Sequence, residues 1–130
     1  MTRYKSFAIA LLFAACGGGS GGGGPSPREG CEEAAVALCG RLYTCFSAAE
    51  LADAGYPPSE AACVTMTQTA QGCAAETLET TCTGNQKYHP NEANTCIDQI
   101  EGLACSQIRD VDLDVNTEAP ACGKVCAIPG

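Results

Sequence analysis

The sequence predicts a mainly α-helical fold: a small disulfide-stapled domain of about four short helices. Apolar residues recur every three or four positions through most of residues 31–104, which is the spacing of a helix face. The 130-residue chain has eleven cysteines and no tryptophan. Because a core of small side chains buries little apolar surface, we expect crosslinks to supply much of the stability. The alternation of apolar and polar residues that is typical of strands is weak before residue 110.

The first predicted helix covers residues 31–46. Its first turn contains Glu32 and Glu33, whose negative charges interact favourably with the positive end of the helix dipole. One face is polar or small, with Glu33, Gly40, Arg41 and Thr44. The opposite face is apolar, with Cys31, Ala35, Leu38, Leu42 and Cys45.

The second predicted helix follows the segment "GYPPSE", residues 55–60, where glycine and proline interrupt the chain. Ser59 is the expected N-cap of a helix over residues 59–72. Gly72 weakens that helix, so we expect residues 74–82 to form a separate turn or two that carries Leu78. The apolar face of the second helix contains Ala62, Cys63, Met66, Ala70 and Cys73.

Residues 83–91, "TGNQKYHPN", are predicted to form a loop. The clearest helix begins within the last two residues of this segment, at Pro90, because proline is a favoured first helical residue. Its polar face holds Asn91, Asn94, Thr95, Asp98 and Glu101. Its apolar face holds Ala93, Cys96, Ile97, Ile100, Leu103 and Ala104.

The N-terminus has the pattern of a secretory signal peptide. Arg3 and Lys5 precede nine apolar residues, 7–15, whereas about 20 are needed to span a bilayer. The next residue is a cysteine, and Leu12-Phe13-Ala14-Ala15-Cys16 resembles the lipobox of bacterial lipoproteins, with Phe13 where leucine is usual. This resemblance implies cleavage before Cys16 and a thioether-linked diacylglycerol on its sulfur.

Three segments result from this reading of the N-terminus. Residues 1–15 are the lipoprotein signal peptide, 16–30 are the lipidated cysteine with a flexible Gly/Ser/Pro tether, and 31–130 are the cysteine-rich helical domain. The tether, "GGGSGGGGPSPREG" after the cysteine, has almost no side chain to bury and is expected to be disordered. A coil of this length spans about 20 Å.

The cysteine count agrees with a lipid on Cys16. An odd number of cysteines in an exported chain needs an explanation, and eleven become ten once Cys16 is modified. An even set is expected to form five disulfides, which places the domain in an oxidising compartment. The ten candidates are Cys31, Cys39, Cys45, Cys63, Cys73, Cys82, Cys96, Cys105, Cys122 and Cys126.

Helix geometry suggests partners for four of these cysteines. If helices 31–46 and 59–72 form an antiparallel hairpin, residues near the turn face each other. Residues farther from the turn then face each other at equal distances from it, because both helices rise equally per residue. This arrangement predicts Cys45–Cys63 and Cys31–Cys73, and it leaves the other pairings open.

Cysteine spacing and charge exclude several functional classes. No C-x₂-C occurs, the closest pair is Cys122 and Cys126, and the chain has one histidine, so we expect no metal, haem or redox cofactor. Loss of Arg3 and Lys5 leaves five basic and fifteen acidic residues, a net charge of −10. Such a surface is repelled by nucleic acid and by anionic headgroups. We therefore expect no nucleic-acid partner and membrane attachment through the lipid alone.

The C-terminal third carries a wider resemblance. In "TCIDQIEGLACSQIRDVDLDVNTEAPACGKVC" a cysteine-bearing helix leads through an acidic loop to Pro120-Ala-Cys122. Together with the anchor, the tether and the Ala-rich helices, it resembles the small cysteine-rich lipoproteins of myxobacteria and related Gram-negative bacteria. The resemblance implies anchoring to a bacterial membrane, outer rather than inner, with the domain in the periplasm or on the cell surface. It implies no catalytic residue.

Two places could hold a site. His89, beside Pro90, is expected to be a surface or capping residue, since a catalytic histidine needs partners in space. Residues 110–118 have oxygen-bearing side chains at alternate positions, as in part of a calcium loop, but Val115 and Ala121 stand where an EF-hand needs Gly and Glu. A solvated acidic loop is therefore favoured over a weak calcium site formed by Asp110, Asp112, Asp114, Asn116 and Glu118.

The sequence thus predicts a lipid-anchored, non-enzymatic binding or structural module whose partner is an unidentified envelope or extracellular protein. The first alternative is a calcium-responsive protein that acts through residues 110–118. The second alternative is a small hydrolase, which would require a concave pocket with convergent polar groups.

Overall fold

The computed structural model describes residues 23–77 and 80–128, and this part of the chain is mainly helical, as predicted. The predicted signal peptide, Cys16 and Leu78 lie outside the described residues. Short 3₁₀ turns cover Cys73–Ala75 and Cys122–Lys124. The other elements are α1 (Pro27–Cys45), α2 (Ala48–Asp53), α3 (Glu60–Gln71), β1 (Lys87–Tyr88), α4 (Pro90–Glu101), α5 (Cys105–Ile108), α6 (Val115–Glu118) and β2 (Cys126–Ala127).

Helix α1 begins four residues before the predicted start at Cys31, so the predicted boundary is wrong. The Ser26 amide donates to Glu29 Oε2 at 2.9 Å, and the Glu29 amide donates to Ser26 Oγ at 3.4 Å. This reciprocal capping box, with Pro27 at the first helical position, starts the helix inside the predicted tether. The last residues of that tether are therefore ordered, and Gly30 is buried.

Helix α1 is buried on two sides, because α3 and α4 both pack against it. Cys39 bonds to α3, whereas Ala37 packs with Ile97 and Ile100 of α4. The prediction of a single apolar face for this helix therefore described only part of its buried surface. Gly40 and Arg41, predicted on the polar face, are half-buried.

Helix α2 is an element that the sequence analysis did not predict. It begins with a second capping box, in which the Ser47 amide donates to Glu50 Oε2 at 2.7 Å and the Glu50 amide donates to Ser47 Oγ at 3.3 Å. Leu51 is its buried residue. Because α2 lies between α1 and α3 in the chain, these two helices are not joined by a tight turn.

Two disulfides hold α1 and the α3 segment antiparallel. The predicted Cys31–Cys73 bond is confirmed, but the predicted Cys45–Cys63 bond is wrong. Cys63 pairs with Cys39, and Cys45 pairs with Cys105. The prediction assumed a tight turn between the two helices, which would place the start of α3 opposite the end of α1. Because α2 and the link after it separate them in the chain, α3 lies beside the middle of α1 instead. Cys39 is about 9 Å along the helix from Cys45.

Helix α4 agrees best with its prediction. His89 is the N-cap residue, Pro90 follows it, and Ala93, Cys96, Ile97 and Ile100 are all buried. Leu103 is also buried, although the helix ends at Glu101, and Ala104 is exposed. The amphipathic spacing therefore identified the packed face through almost the whole segment.

A small sheet corrects the loop predicted for residues 83–91. Lys87–Tyr88 pairs antiparallel with Cys126–Ala127, and the His89 amide extends the contact by donating to Val125 O at 2.8 Å. Two disulfides, Cys82–Cys126 and Cys96–Cys122, hold the C-terminal segment against this half of the domain. Within the described ranges, no helix combines the length and apolarity required to cross a bilayer.

Arg109 ties α2 to the segment after α5. Its guanidinium donates to both carboxylate oxygens of Glu50, at 2.9 and 3.1 Å, and its Nε donates to Cys45 O at 2.9 Å. It also lies 4.7 Å from the centre of the Phe46 ring. These bonds from Arg109, with those from Ser47, lower the pKa of Glu50 to about 2.

Glu50 should make the stability of the domain depend on pH in the acidic range. A carboxyl whose pKa is lowered on folding stabilises the folded state above its ordinary value of 4.5, and that contribution is lost as the pH falls towards about 2. Glu50→Gln should therefore flatten the decline of the melting temperature between pH 5 and pH 2. Asp53→Asn, an exposed carboxyl at the end of the same helix, should leave the decline unchanged, and equal curves for both variants would contradict the prediction.

Reduction of the five disulfides should unfold the domain at 37 °C. Each crosslink contributes about 2–4 kcal/mol, whereas the net stability of a folded domain is only about 5–15 kcal/mol. Far-UV circular dichroism in excess dithiol should therefore lose its helical signal, while an untreated sample keeps it. A helical spectrum that survives complete reduction would show that packing alone holds the fold.

Candidate functional site

A shallow cleft of about 300 Å³ between α5 and α6 is the candidate functional site. Four of the five residues in the predicted calcium loop line it: Asp110, Asp112, Asp114 and Glu118. The remaining lining residues are Ser106, Gln107, Leu113 and Thr117. The structure therefore brings most of the predicted acidic residues to one place.

The cleft's aspartates cap the local backbone. Asp110 Oδ1 accepts a hydrogen bond from the Asp112 amide at 3.0 Å. Asp114 is the N-cap of α6: its Oδ1 accepts from the Asn116 amide at 3.0 Å, and its Oδ2 accepts from Thr117 Oγ1 at 2.9 Å. Aspartates favour turns and helix starts for this reason. The segment predicted as a solvated acidic loop thus contains a capped helical turn.

Gln107 connects the two short helices that border the cleft. Its amide nitrogen donates to Glu118 Oε2, and its Oε1 accepts from the Ala104 amide at 2.8 Å. The Glu118 carboxylate, like that of Asp114, is therefore engaged by a neighbouring donor. The cleft is held in shape by its own polar groups.

The geometry does not form an EF-hand. Val115, at the position that needs glycine, lies in α6, and Ala121, at the position that needs glutamate, is buried with its amide donating to Gln99 Oε1 at 3.0 Å. Across residues 23–77 and 80–128, no group of three or more His, Cys, Asp or Glu side chains is placed to hold a metal ion. What the cleft offers chemically is a set of exposed carboxylates and hydroxyls on a rigid turn.

His89 lies away from the acidic cleft. It occupies the N-cap position of α4, and its Nε2 is 3.4 Å from the carbonyl oxygen of Ala127 in β2. Its side chain makes no capping hydrogen bond to α4. The structure therefore does not bring the histidine together with the carboxylates of the cleft.

The segment before α1 is docked on the start of α4, which the sequence analysis missed. The Tyr88 hydroxyl donates to Pro25 O at 2.9 Å and lies 3.1 Å from Ser26 O. Burial, followed by the nearby charges of Glu29 and Glu33, raises the pKa of Tyr88 to about 12, so it keeps its proton. Gly24 has φ +144°, and a Cβ there would collide with the Pro90 backbone. No local signal could reveal contacts between residues more than 60 positions apart.

Comparison of this chain with protein-family models, with curated proteins and with solved structures found no match.

Replacing Asp114 should destabilise the domain through loss of the α6 cap. Asp114→Ala should lower the free energy of unfolding by about 0.5–2 kcal/mol, because the Asn116 amide loses its acceptor. Asp112→Ala removes a neighbouring exposed carboxylate from the same cleft and is the matched control. Urea unfolding should show the loss for Asp114 alone. Equal losses for both variants would mean that charge, and not capping, explains the effect.

Proposed function

We propose that this chain is a lipid-anchored envelope or cell-surface protein whose helical domain is a non-enzymatic binding or structural module. The observation that carries the proposal is the disulfide pairing. All ten cysteines from Cys31 to Cys126 are paired with one another. The domain therefore uses its own ten cysteines, and the proposal assigns the eleventh, Cys16, to a diacylglycerol.

The disulfides indicate an oxidising, exported environment, since such bonds persist there and are rare in the cytosol. We further propose that the lipid anchors the protein to the outer membrane, with the domain in the periplasm or on the cell surface. The chain is acidic, so anionic headgroups would repel its surface and attachment would come from the lipid. Two or three acyl chains hold a protein durably, whereas one holds it weakly.

The docked segment before α1 supports a defined orientation of the domain on its anchor. Tyr88 holds the chain at Pro25 and Ser26, and the described residues begin at Gly23. Seven residue steps separate Gly23 from Cys16, which allows at most about 25 Å. The proposed module would therefore stay close to the membrane, with the start of α4 nearest to the lipid.

The cleft favours binding over hydrolysis. A hydrolase needs a nucleophile, a base and an orienting group within hydrogen-bond reach. His89, the single histidine of the chain, is not among the residues that line the cleft, so the hydroxyl groups there have no imidazole as a base. A rigid, acidic surface instead suits a basic region on a partner protein of the envelope.

The calcium alternative has one observation in its favour, the four carboxylates that line one cleft. It is the weaker candidate because Asp110, Asp114 and Glu118 already accept hydrogen bonds from neighbouring donors. Melting curves with Ca²⁺ and with Mg²⁺ distinguish the two candidates. A rise in melting temperature specific to Ca²⁺ would favour the alternative.

The anchor is tested by Cys16→Ser, which removes the sulfur that would carry the lipid. The variant should move to the soluble fraction or remain uncleaved, whereas Gly18→Ser, a nearby change that keeps the cysteine, should stay in the membrane fraction. Fractionation of the expressing cells and intact mass spectrometry read out both properties. Normal cleavage and unchanged membrane retention of Cys16→Ser would overturn the lipoprotein proposal.

A further inference from the structure

One disulfide, Cys45–Cys105, differs from the others by the cation that lies on it. Arg41 Nη2 is 3.4 Å from the Sγ of Cys45 and 3.7 Å from the Sγ of Cys105. Arg41 precedes Cys45 by four residues on α1, so the two side chains share one face of the helix. The helix itself therefore places the guanidinium against the bond.

This guanidinium has no carboxylate partner among the described residues. The ion pairs there join Arg28 to Glu32 and Arg109 to Glu50. The Nε of Arg41 is buried and has no hydrogen-bond partner. A buried donor without a hydrogen-bond partner is unfavourable, and a redox role of the group is one of the recognised explanations for such a donor. The groups nearest to the Nη2 of the same guanidinium are the sulfurs of Cys45 and Cys105.

The two cysteines of this disulfide also differ in exposure. Cys45 is buried, whereas Cys105 is half-buried at the start of the short helix α5. An incoming thiol would therefore reach Cys105, and the sulfur that leaves would be that of Cys45, the nearer one to Arg41. Three other disulfides, Cys31–Cys73, Cys82–Cys126 and Cys96–Cys122, also join a buried cysteine to a half-buried one, whereas both residues of Cys39–Cys63 are fully buried. The contact with Arg41 is therefore the feature that distinguishes Cys45–Cys105 from the others.

We propose that Cys45–Cys105 is a thiol-exchange site, opened by a dithiol reductant while the other four disulfides keep the domain folded. A thiolate of the dithiol attacks Cys105 Sγ, the Cys45–Cys105 bond breaks, and its electron pair leaves on Cys45 Sγ as a thiolate beside Arg41. The second thiol of the reductant, after losing its proton, attacks the mixed disulfide and releases Cys105 as a thiolate. The dithiol ends as a cyclic disulfide, two electrons reach the protein, and the protons pass to water or to the new thiolates.

Arg41 accelerates the first step because a positive charge stabilises a departing thiolate, and thiols that leave more readily exchange faster. For the attacking thiol the exchange rate changes by about threefold for each unit of pKa, and we expect an effect of similar size for the leaving thiol. The same charge draws the attacking thiolate towards the bond. Among the described residues, the other four disulfides have no arginine within hydrogen-bond distance of their sulfurs.

The opened site would keep its packing. Cys45 forms a buried cluster with Leu103 and Ile108, and Leu42, Phe46 and Leu113 pack around it. Arg109 still joins Cys45 O to Glu50. Since α5 is held by these contacts as well as by the disulfide, the bond can open and close again in a folded domain.

The order of opening tests the proposal. The purified full chain, with any anchor it carries, is treated with limiting dithiothreitol without denaturant, alkylated at intervals and mapped by peptide mass spectrometry. Cys45 and Cys105 should be labelled before all other cysteines, with circular dichroism still native. Earlier labelling of another pair, or simultaneous labelling of all ten domain cysteines, would overturn the proposal.

Variants of Arg41 test the role of the charge. Arg41→Gln should slow the labelling of Cys45 and Cys105 by at least about threefold, and Arg41→Lys should retain most of the wild-type rate. Arg28→Gln, an exposed arginine on the same helix, removes the same charge far from the disulfide and should change nothing. Equal rates for Arg41→Gln and Arg28→Gln would contradict the assignment. If Arg41→Gln does not fold, the order of labelling in the wild-type chain still decides.

Discussion

The crosslinking of helix α1 is the constraint on which the rest of the structure depends. Its three cysteines, Cys31, Cys39 and Cys45, bond to three other parts of the chain: the 3₁₀ turn after α3, α3 itself and α5. A helix tied at its start, middle and end cannot slide or rotate against its neighbours. The small side chains around it, such as Ala35 and Ala37, can then pack closely although each buries little surface.

The remaining interactions complete what these crosslinks begin. Capping boxes at Ser26 and Ser47 set where helices start, and the Arg109–Glu50 pair holds α2 against the C-terminal half. These bonds lie near the surface, where each contributes modestly. These two kinds of interaction explain how a domain without tryptophan can adopt one structure. The disulfides reduce the conformational entropy of the unfolded chain, and the local hydrogen bonds favour particular helix boundaries in the folded state.

The acidic cleft and the Cys45–Cys105 disulfide present two kinds of chemical group on neighbouring parts of the domain. The acidic cleft presents carboxylates that are engaged in capping, which suits recognition of a basic surface more than tight binding of a cation. The Nε of the half-buried Arg41, in contrast, is buried without an acceptor, and the Nη2 of the same guanidinium faces sulfur. Both features meet at α5, which carries Cys105 and whose Ser106 and Gln107 line the cleft, so partner binding at the cleft and thiol exchange at Cys105 would influence each other.

The sequence by itself determined the helical class, the cap at Ser59, the packed face of α4 and the set of ten bonding cysteines. The helical class, the cap and the packed face depend on residues three or four apart, so periodicity and capping signals contain them. The set of ten cysteines follows from the cysteine count once Cys16 is set aside. It located the acidic residues of the cleft but not their hydrogen bonds. The tertiary structure decided that Cys45 pairs with Cys105, 60 positions away, and that Arg41 lies on that bond. Those contacts depend on how far α3 lies along α1, a distance that local spacing does not encode.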